Sequence, residues 1–247
     1  MTQLKPAISL SAWRLKNTRS LYSCTLLTLN PLILEKNTHP PCGNKTLKMK
    51  GTKTMHTSWE SLEKDCKLCT KCNLCKTRTN VVFGVGNKNS KILFIGEGPG
   101  ENEDLQGEPF VGRGGQLLDK MLTAVDLDRH KNIYIANIVK CRPPKNRDPL
   151  QEEQDACIDW LRNQVKLINP KIIVCLGRIA AMKIIKPDIK ITKEHGIFFE
   201  RGNILMMATL HPAALLRNPS QKPAAFNDFL LLREKIKELC PEVYENI

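Results

Sequence analysis

Four apolar runs, none longer than seven residues, constrain this chain more than any other feature, because stretches with helical periodicity separate them. Lys91–Ile95 (KILFI), Ile133–Ile138 (IYIANI), Lys171–Leu176 (KIIVCL) and Ile204–Leu210 (ILMMATL) have the length and density of strands buried on both faces. The intervening patterns predict helices over Gly115–Val125, Pro149–Ile168 and Arg178–Ile185, and a last one from about Ala225 to Leu239. The second of these carries Glu152, Glu153 and Asp155 in its first turns, where the helix dipole favours acids. Strands alternating with helices are joined by right-handed crossovers, which implies an α/β fold with a mostly parallel sheet. Ligands gather at the carboxyl ends of the strands in such sheets. GEGPGENED follows the first run, Asn137 closes the second and His211-Pro212 follows the fourth, so these segments are expected to share a site.

Residues 1–54 lack this pattern. Of the formal net charge of +13, +8 sits here, from nine Lys/Arg against Glu35, and +5 in the remainder. A basic, acid-poor segment containing Ser and Thr and the pair Pro40-Pro41 reads as a transit-like leader. It reads equally as sequence ahead of a start at Met49 or Met55, with a disordered extension as the third reading. In each case it stands apart from a domain expected over residues 55–247. With 41% hydrophobic residues the chain can build a core, which excludes a disordered tail, a collagen-like repeat and a small disulfide scaffold. No apolar run approaches the ~20 residues of a membrane span. A soluble chain without a membrane partner is expected, and its positive excess suits a polyanion.

Four of the ten cysteines fall at strict intervals in Cys66-x2-Cys69-x2-Cys72-x2-Cys75. The spacing is too tight for bridges between neighbours and reads as thiolate ligation of a metal or cluster in a reducing compartment. Cys141, just after the second strand, and Cys157, inside the long helix, could complete a four-thiolate set. Alternatively the clustered four hold zinc alone, and Cys141 and Cys157 are ordinary buried thiols. Cys24, Cys42, Cys175 and Cys240 are expected to be free.

The turn Gly96-Glu97-Gly98-Pro99-Gly100 lacks the lysine and hydroxyl of a phosphate-binding loop. It lets a ligand approach backbone N–H groups, with Glu97, Glu101, Glu103 and Asp104 at its edge. Read alone it is a solvated acidic loop. His211 alone would more often be a structural hydrogen-bonder, and Phe110 a packing residue or a platform for a planar ligand. Leu215 and Leu216 beside Arg217 form either an apolar wedge flanked by positive charge or the first turn of a buried helix.

GEGPGENEDLQGEPFVGRGGQLLDKML, YIANIVKCRPPKNRDP and LHPAALLRNP together resemble the family 4, iron–sulfur, uracil-DNA glycosylases, over about residues 57–239. The resemblance implies a four-stranded parallel sheet flanked by helices in three layers, a [4Fe–4S] cluster, and removal of uracil from DNA. It assigns the cluster to Cys69, Cys72, Cys141 and Cys157, leaving Cys66 and Cys75 as extra cysteines. Glu97, Gly98 and Pro99 match the turn that lines the uracil pocket, Phe110 the stacking aromatic, and Asn137 the amide that reads the base edge. His211 matches the histidine beside O2 of the base, and Leu215 the intercalating leucine, with Arg217 beside it.

Cleavage of the N-glycosidic bond leaves negative charge on the departing uracil, so donors at O2 and O4 stabilise it. An Asn amide can donate to O4 and accept from N3–H, whereas cytosine presents the opposite pattern. Where better-known uracil glycosylases place an Asp to orient water, this chain has Gly98. Glu103 is the expected substitute, with Glu97 holding the pocket. Uracil-containing DNA is the expected partner of a monomeric enzyme in the cytoplasm of a bacterium or archaeon, or in an organelle if residues 1–54 are a transit peptide. Two other readings are a uracil-DNA-binding module with weak turnover and a zinc-bound structural protein. A chain beginning at Met55 is expected to excise uracil from an oligonucleotide at the rate of the full chain at physiological salt. A large loss with intact folding would instead make residues 1–54 a basic arm on DNA.

Overall fold

A computed structural model describes residues 56–245. The basic segment 1–54, with Cys24 and Cys42, lies outside the described residues. Six strands form one sheet in the order β1-β3-β2-β4-β6-β5. β2 (Ile92–Gly96), β3 (Ile133–Asn137), β4 (Ile172–Leu176) and β6 (Ile204–Thr209) are the four apolar runs, and they pair in parallel. The sheet has two strands more than expected. β1 (Val85–Gly86) and β5 (Phe198–Arg201) add antiparallel edges to β3 and β6. β1 is too short to show a period, and β5 is half-exposed along its length, so neither forms the dense apolar run that marks a buried strand.

The helices are α1 (Trp59–Lys67), α2 (Glu101–Gln106), α3 (Arg113–Thr123), α4 (Gln151–Ile168), α5 (Arg178–Ile184), α6 (Ile191–Glu194), α7 (Pro212–Arg217) and α8 (Lys222–Leu239). α1 starts at Ser58, whose hydroxyl accepts from the Ser61 amide at 3.2 Å. Alternate residues of each parallel strand face opposite cores. Leu93, Ile95, Tyr134, Ala136, Ile173 and Cys175 face Trp59 and Leu62 of α1 and Cys157, Ile158 and Leu161 of α4. Ile92, Phe94, Ile133, Ile135, Ile172 and Val174 face Leu118 and Leu122 of α3 and Phe229 and Leu232 of α8. Three layers result, with helices on both faces. Among the described residues no helix is long and apolar enough to cross a membrane.

From β2 the chain moves out to β3, then returns across β2 to β4, so the strand order reverses at β2. A crevice opens at the carboxyl end of the strands at such a reversal. Asp104, 2% exposed, ties α2 to the cysteine-bearing segment. Its carboxylate accepts from the Thr79 amide at 3.0 Å and from the Asn80 amide at 3.2 Å, and the Asn80 side chain donates back to the Asp104 carbonyl at 2.8 Å. Replacing Asp104 by Ala strands two partly buried amides. The expected cost is about 1–3 kcal/mol, read as a thermal midpoint lowered by roughly 2–4 °C per kcal/mol.

Candidate active site

At the carboxyl ends of β2, β3 and β6 lies an open cavity of about 730 Å³, lined by Glu97, Gly98, Pro99, Glu103, Phe110, Asn137, His211 and Arg217. Residues up to 120 positions apart in sequence thus meet in one place. Asn137 ends β3 opposite Gly96 of β2 and is 2% exposed. Its side-chain oxygen Oδ1 is buried and has no hydrogen-bond partner. Gly96 has to lack a side chain. A Cβ there would lie 2.4 Å from Asn137 Oδ1 and 2.5 Å from Cζ of Phe110.

Phe110 holds an unusual backbone for a bulky residue, with φ of 55°. Two contacts enforce it. Arg129, 7% exposed, donates to the carbonyls of Pro109 at 2.8 Å and Phe110 at 2.7 Å, and its own charge meets Asp119 at 2.7 Å. Gly115 of α3 leaves room for the Phe110 carbonyl, which a Cβ would strike at 1.8 Å. The ring then stands 5.7 Å from the His211 ring, tilted by 32°. The sequence offered no signal for Arg129, because its role depends on a fold that brings it to a loop about twenty residues away.

His211 caps α7. The Ala213 amide donates to its Nδ1 at 3.1 Å, which places the ring proton of the neutral form on Nε2. The ring is closely packed although it borders the cavity. Burial pushes its pKa down to about 4, and the charge of Arg217 adds to the effect. At neutral pH His211 is therefore an uncharged donor.

The two candidate carboxylates differ in what they touch. Glu103 accepts from three amides: Gly100 at 3.1 Å, Val111 at 3.0 Å and Gly112 at 2.9 Å. It braces the glycine turn against the Phe110 loop. Burial pushes the Glu97 carboxyl up to about 7, the Asp148 carboxylate adds to the rise, and Arg178 opposes it. Asp148 and Arg178 form an ion pair of 2.6 Å at the cavity wall. Neither was marked by the sequence patterns.

The expected wedge at Leu215 is corrected. Leu215 is 0% exposed and packs in the core with Leu118, Met207 and Phe229, because it lies on the inward face of α7. Leu216 is half-buried, while Arg217 at the end of α7 is exposed at the rim of the cavity.

A second, small cavity lies between α1, α4 and the segment after β3. Cys66, Cys69, Cys72, Cys75, Cys141 and Cys157 all line it. Three sulfurs accept N–H donors: Cys69 from Trp160 Nε1 at 3.3 Å, Cys141 from Arg78 Nη1 at 3.2 Å and Cys157 from the Lys140 amide at 3.3 Å. Burial pushes the Cys157 thiol up to about 12. Among the described residues, no three His, Cys, Asp or Glu side chains converge as they would to hold a single metal ion. The thiols are instead distributed around the cavity wall. Cys175 and Cys240 are buried elsewhere, as expected.

The family model of the uracil DNA glycosylase superfamily matches residues 83–232. A Type-4 uracil-DNA glycosylase of Archaeoglobus fulgidus is 44% identical over 191 residues, covering 74% of this chain and 94% of that protein. One from Thermotoga maritima is 46% identical over 165 residues, 66% of this chain and 85% of that protein. One from Sulfurisphaera tokodaii is 40% identical over 185 residues, 72% and 84%.

Gly96→Ala tests the cavity's construction. The added methyl must displace Asn137 Oδ1 and the Phe110 ring together, with an overpacking cost of about 1–3 kcal/mol. The expected crystal structure of the variant keeps β2 in register and shows both side chains moved out of the cavity wall.

Proposed function

This chain belongs to the uracil DNA glycosylase superfamily, and on that premise we propose how its pocket excises uracil from DNA. It hydrolyses the N-glycosidic bond of a flipped-out deoxyuridine, releases uracil and leaves an abasic site. The observation that carries the reading is the unpartnered Asn137 Oδ1. A buried acceptor without a partner is costly, and uracil N3–H supplies the missing donor while the Asn137 N–H₂ group donates to O4. Cytosine would set an acceptor against Oδ1 and a donor against the amide hydrogens. Specificity of this kind is strong because the wrong base leaves buried groups unpaired.

Phe110 offers its ring face to the base, and Gly98 and Pro99 leave the turn open to the sugar. His211, neutral with its proton on Nε2, donates to O2 as negative charge develops on the leaving uracil. Glu97 is the carboxylate that positions water against the oxocarbenium-like sugar. This replaces the expectation for Glu103, whose oxygens are engaged by backbone amides. Arg217, exposed at the rim of the cavity, is placed to contact phosphate.

The donor set of the second cavity fits an iron–sulfur cluster, because its sulfurs meet N–H donors that stabilise thiolate charge. Cys69, Cys72, Cys141 and Cys157 would hold a [4Fe–4S] cluster. Bound there, it would supply a structural cross-link between the segment after α1, the segment after β3 and α4.

Two measurements test the reading. Single-turnover excision on a uracil-bearing oligonucleotide should rise with pH through about 7, as Glu97 loses its proton. Glu97→Gln should slow that step by roughly 10²–10⁴ and flatten the rise, and Asn137→Ala and His211→Ala by roughly 10²–10³. Glu103→Gln should lower thermal stability more than it alters the pH profile. If Glu97→Gln keeps both the wild-type rate and its pH dependence, the assignment of the water to Glu97 is wrong. Separately, iron counted in anaerobically purified variants should fall for Cys69→Ala, Cys141→Ala and Cys157→Ala and persist for Cys66→Ala and Cys75→Ala. Iron lost from Cys66→Ala and kept in Cys69→Ala would reverse the ligand register.

A further inference from the structure

Lys140 has no part in the mechanism above, yet it is a cation with 1% exposure between the two cavities. Its Nζ donates to the backbone oxygen of Asn137 at 3.0 Å and to Oε1 of Gln164 at 2.6 Å. Gln164 is itself fully buried and is fixed by donating to the Phe83 carbonyl at 2.9 Å. Lys140 lines the small cavity together with Cys66, Cys141 and Cys157. The Lys140 amide also donates to Cys157 Sγ at 3.3 Å. A buried ammonium is tolerated when an anion compensates it. Two neutral oxygens accept two of its three hydrogens without balancing its charge.

We propose that Lys140 is a positioning residue joining the two cavities: its ammonium is the internal counter-charge of a thiolate-bound cluster, and the same group grips the Asn137 carbonyl behind the base-reading amide. The inference rests on the cluster reading given above. Four thiolates bound to a [4Fe–4S] core carry net negative charge, and a buried cation against them favours the reduced cluster. Arg78 supplies a second positive charge, at Cys141, but it is half-exposed and holds the Cys69 carbonyl rather than Asn137. Lys140 is thus placed to couple the cluster's charge to the position of Asn137. The coupling runs through one side chain, whose hydrogen bond reaches the Asn137 carbonyl.

The test uses the full-length protein, purified anaerobically, with two variants. Lys140→Met keeps the length of the side chain and removes its charge and its donors. Gln164→Glu sets a carboxylate against the ammonium and keeps an acceptor for it, at the loss of the donor to the Phe83 carbonyl, while the bond from Nζ to the Asn137 carbonyl stays available. Iron per chain, thermal unfolding, the cluster's midpoint potential and inhibition of excision by free uracil are measured for each. Lys140→Met is expected to shift the potential to more negative values and to weaken inhibition by uracil by about tenfold. Gln164→Glu is expected to shift the potential in the same direction while keeping inhibition near wild type. A folded Lys140→Met chain that loses its iron gives the stronger form of the same result, and Gln164→Glu then supplies the potential. If wild type carries iron and both variants keep its potential, Lys140 is a packing residue and the proposal is overturned. Wild-type protein without iron would sink the cluster reading, and the counter-charge role with it, whatever the variants do.

Discussion

A buried amide oxygen without a partner costs a protein about 1–3 kcal/mol, and the crevice of this fold is arranged to keep Asn137 Oδ1 in that condition. Gly96 leaves the space it occupies, and Phe110 packs against the same missing side chain. Phe110 is in turn held in a left-handed backbone by Arg129, a buried guanidinium that grips two carbonyls. Each contact removes an alternative that the amide could otherwise adopt. On the proposed reading, selectivity for uracil over cytosine rests on that rigidity, because an amide free to rotate would accept either pattern.

The same environment sets the charge state of the groups that act on the bond. Burial keeps His211 uncharged and lifts Glu97 to about 7, whereas three amides hold Glu103 in a bracing role. Two carboxylates six residues apart, one in the turn after β2 and one in α2, therefore have different surroundings. Chain position alone does not separate them; what distinguishes them is the set of groups each one faces.

The segment from Asn137 to Cys141 links the two cavities in five residues. It begins with the base-reading amide and ends with a sulfur that accepts from Arg78. Between them, Val139 donates its amide to the Glu97 carbonyl at 3.1 Å and blocks any side chain at Gly98. Whatever fixes the cysteine-lined side also fixes the wall of the base pocket. The six-cysteine lining and the pocket are neighbouring features of one short stretch of chain.

Much of this was legible in the residues themselves. The four parallel strands and the helices between them follow from hydrophobic periodicity, which depends on local spacing alone. The glycine turn, Asn137 and His211 meet at one cavity, as the sequence pattern implies, because strand ends in a parallel sheet share one edge. The edge strands β1 and β5 were missed because a two-residue strand and a half-exposed one carry no such signal. Its neighbours in sequence leave Leu215 either a wedge or part of a buried helix turn, and the face of α7 that meets the core decides for burial. Glu97 and Glu103 have the same chemistry in the chain, and only their surroundings distinguish them. Arg129 and Lys140 were invisible for the same reason. Local sequence determines which elements form, while the partners of a buried charge are chosen by residues that become neighbours only when the chain has folded.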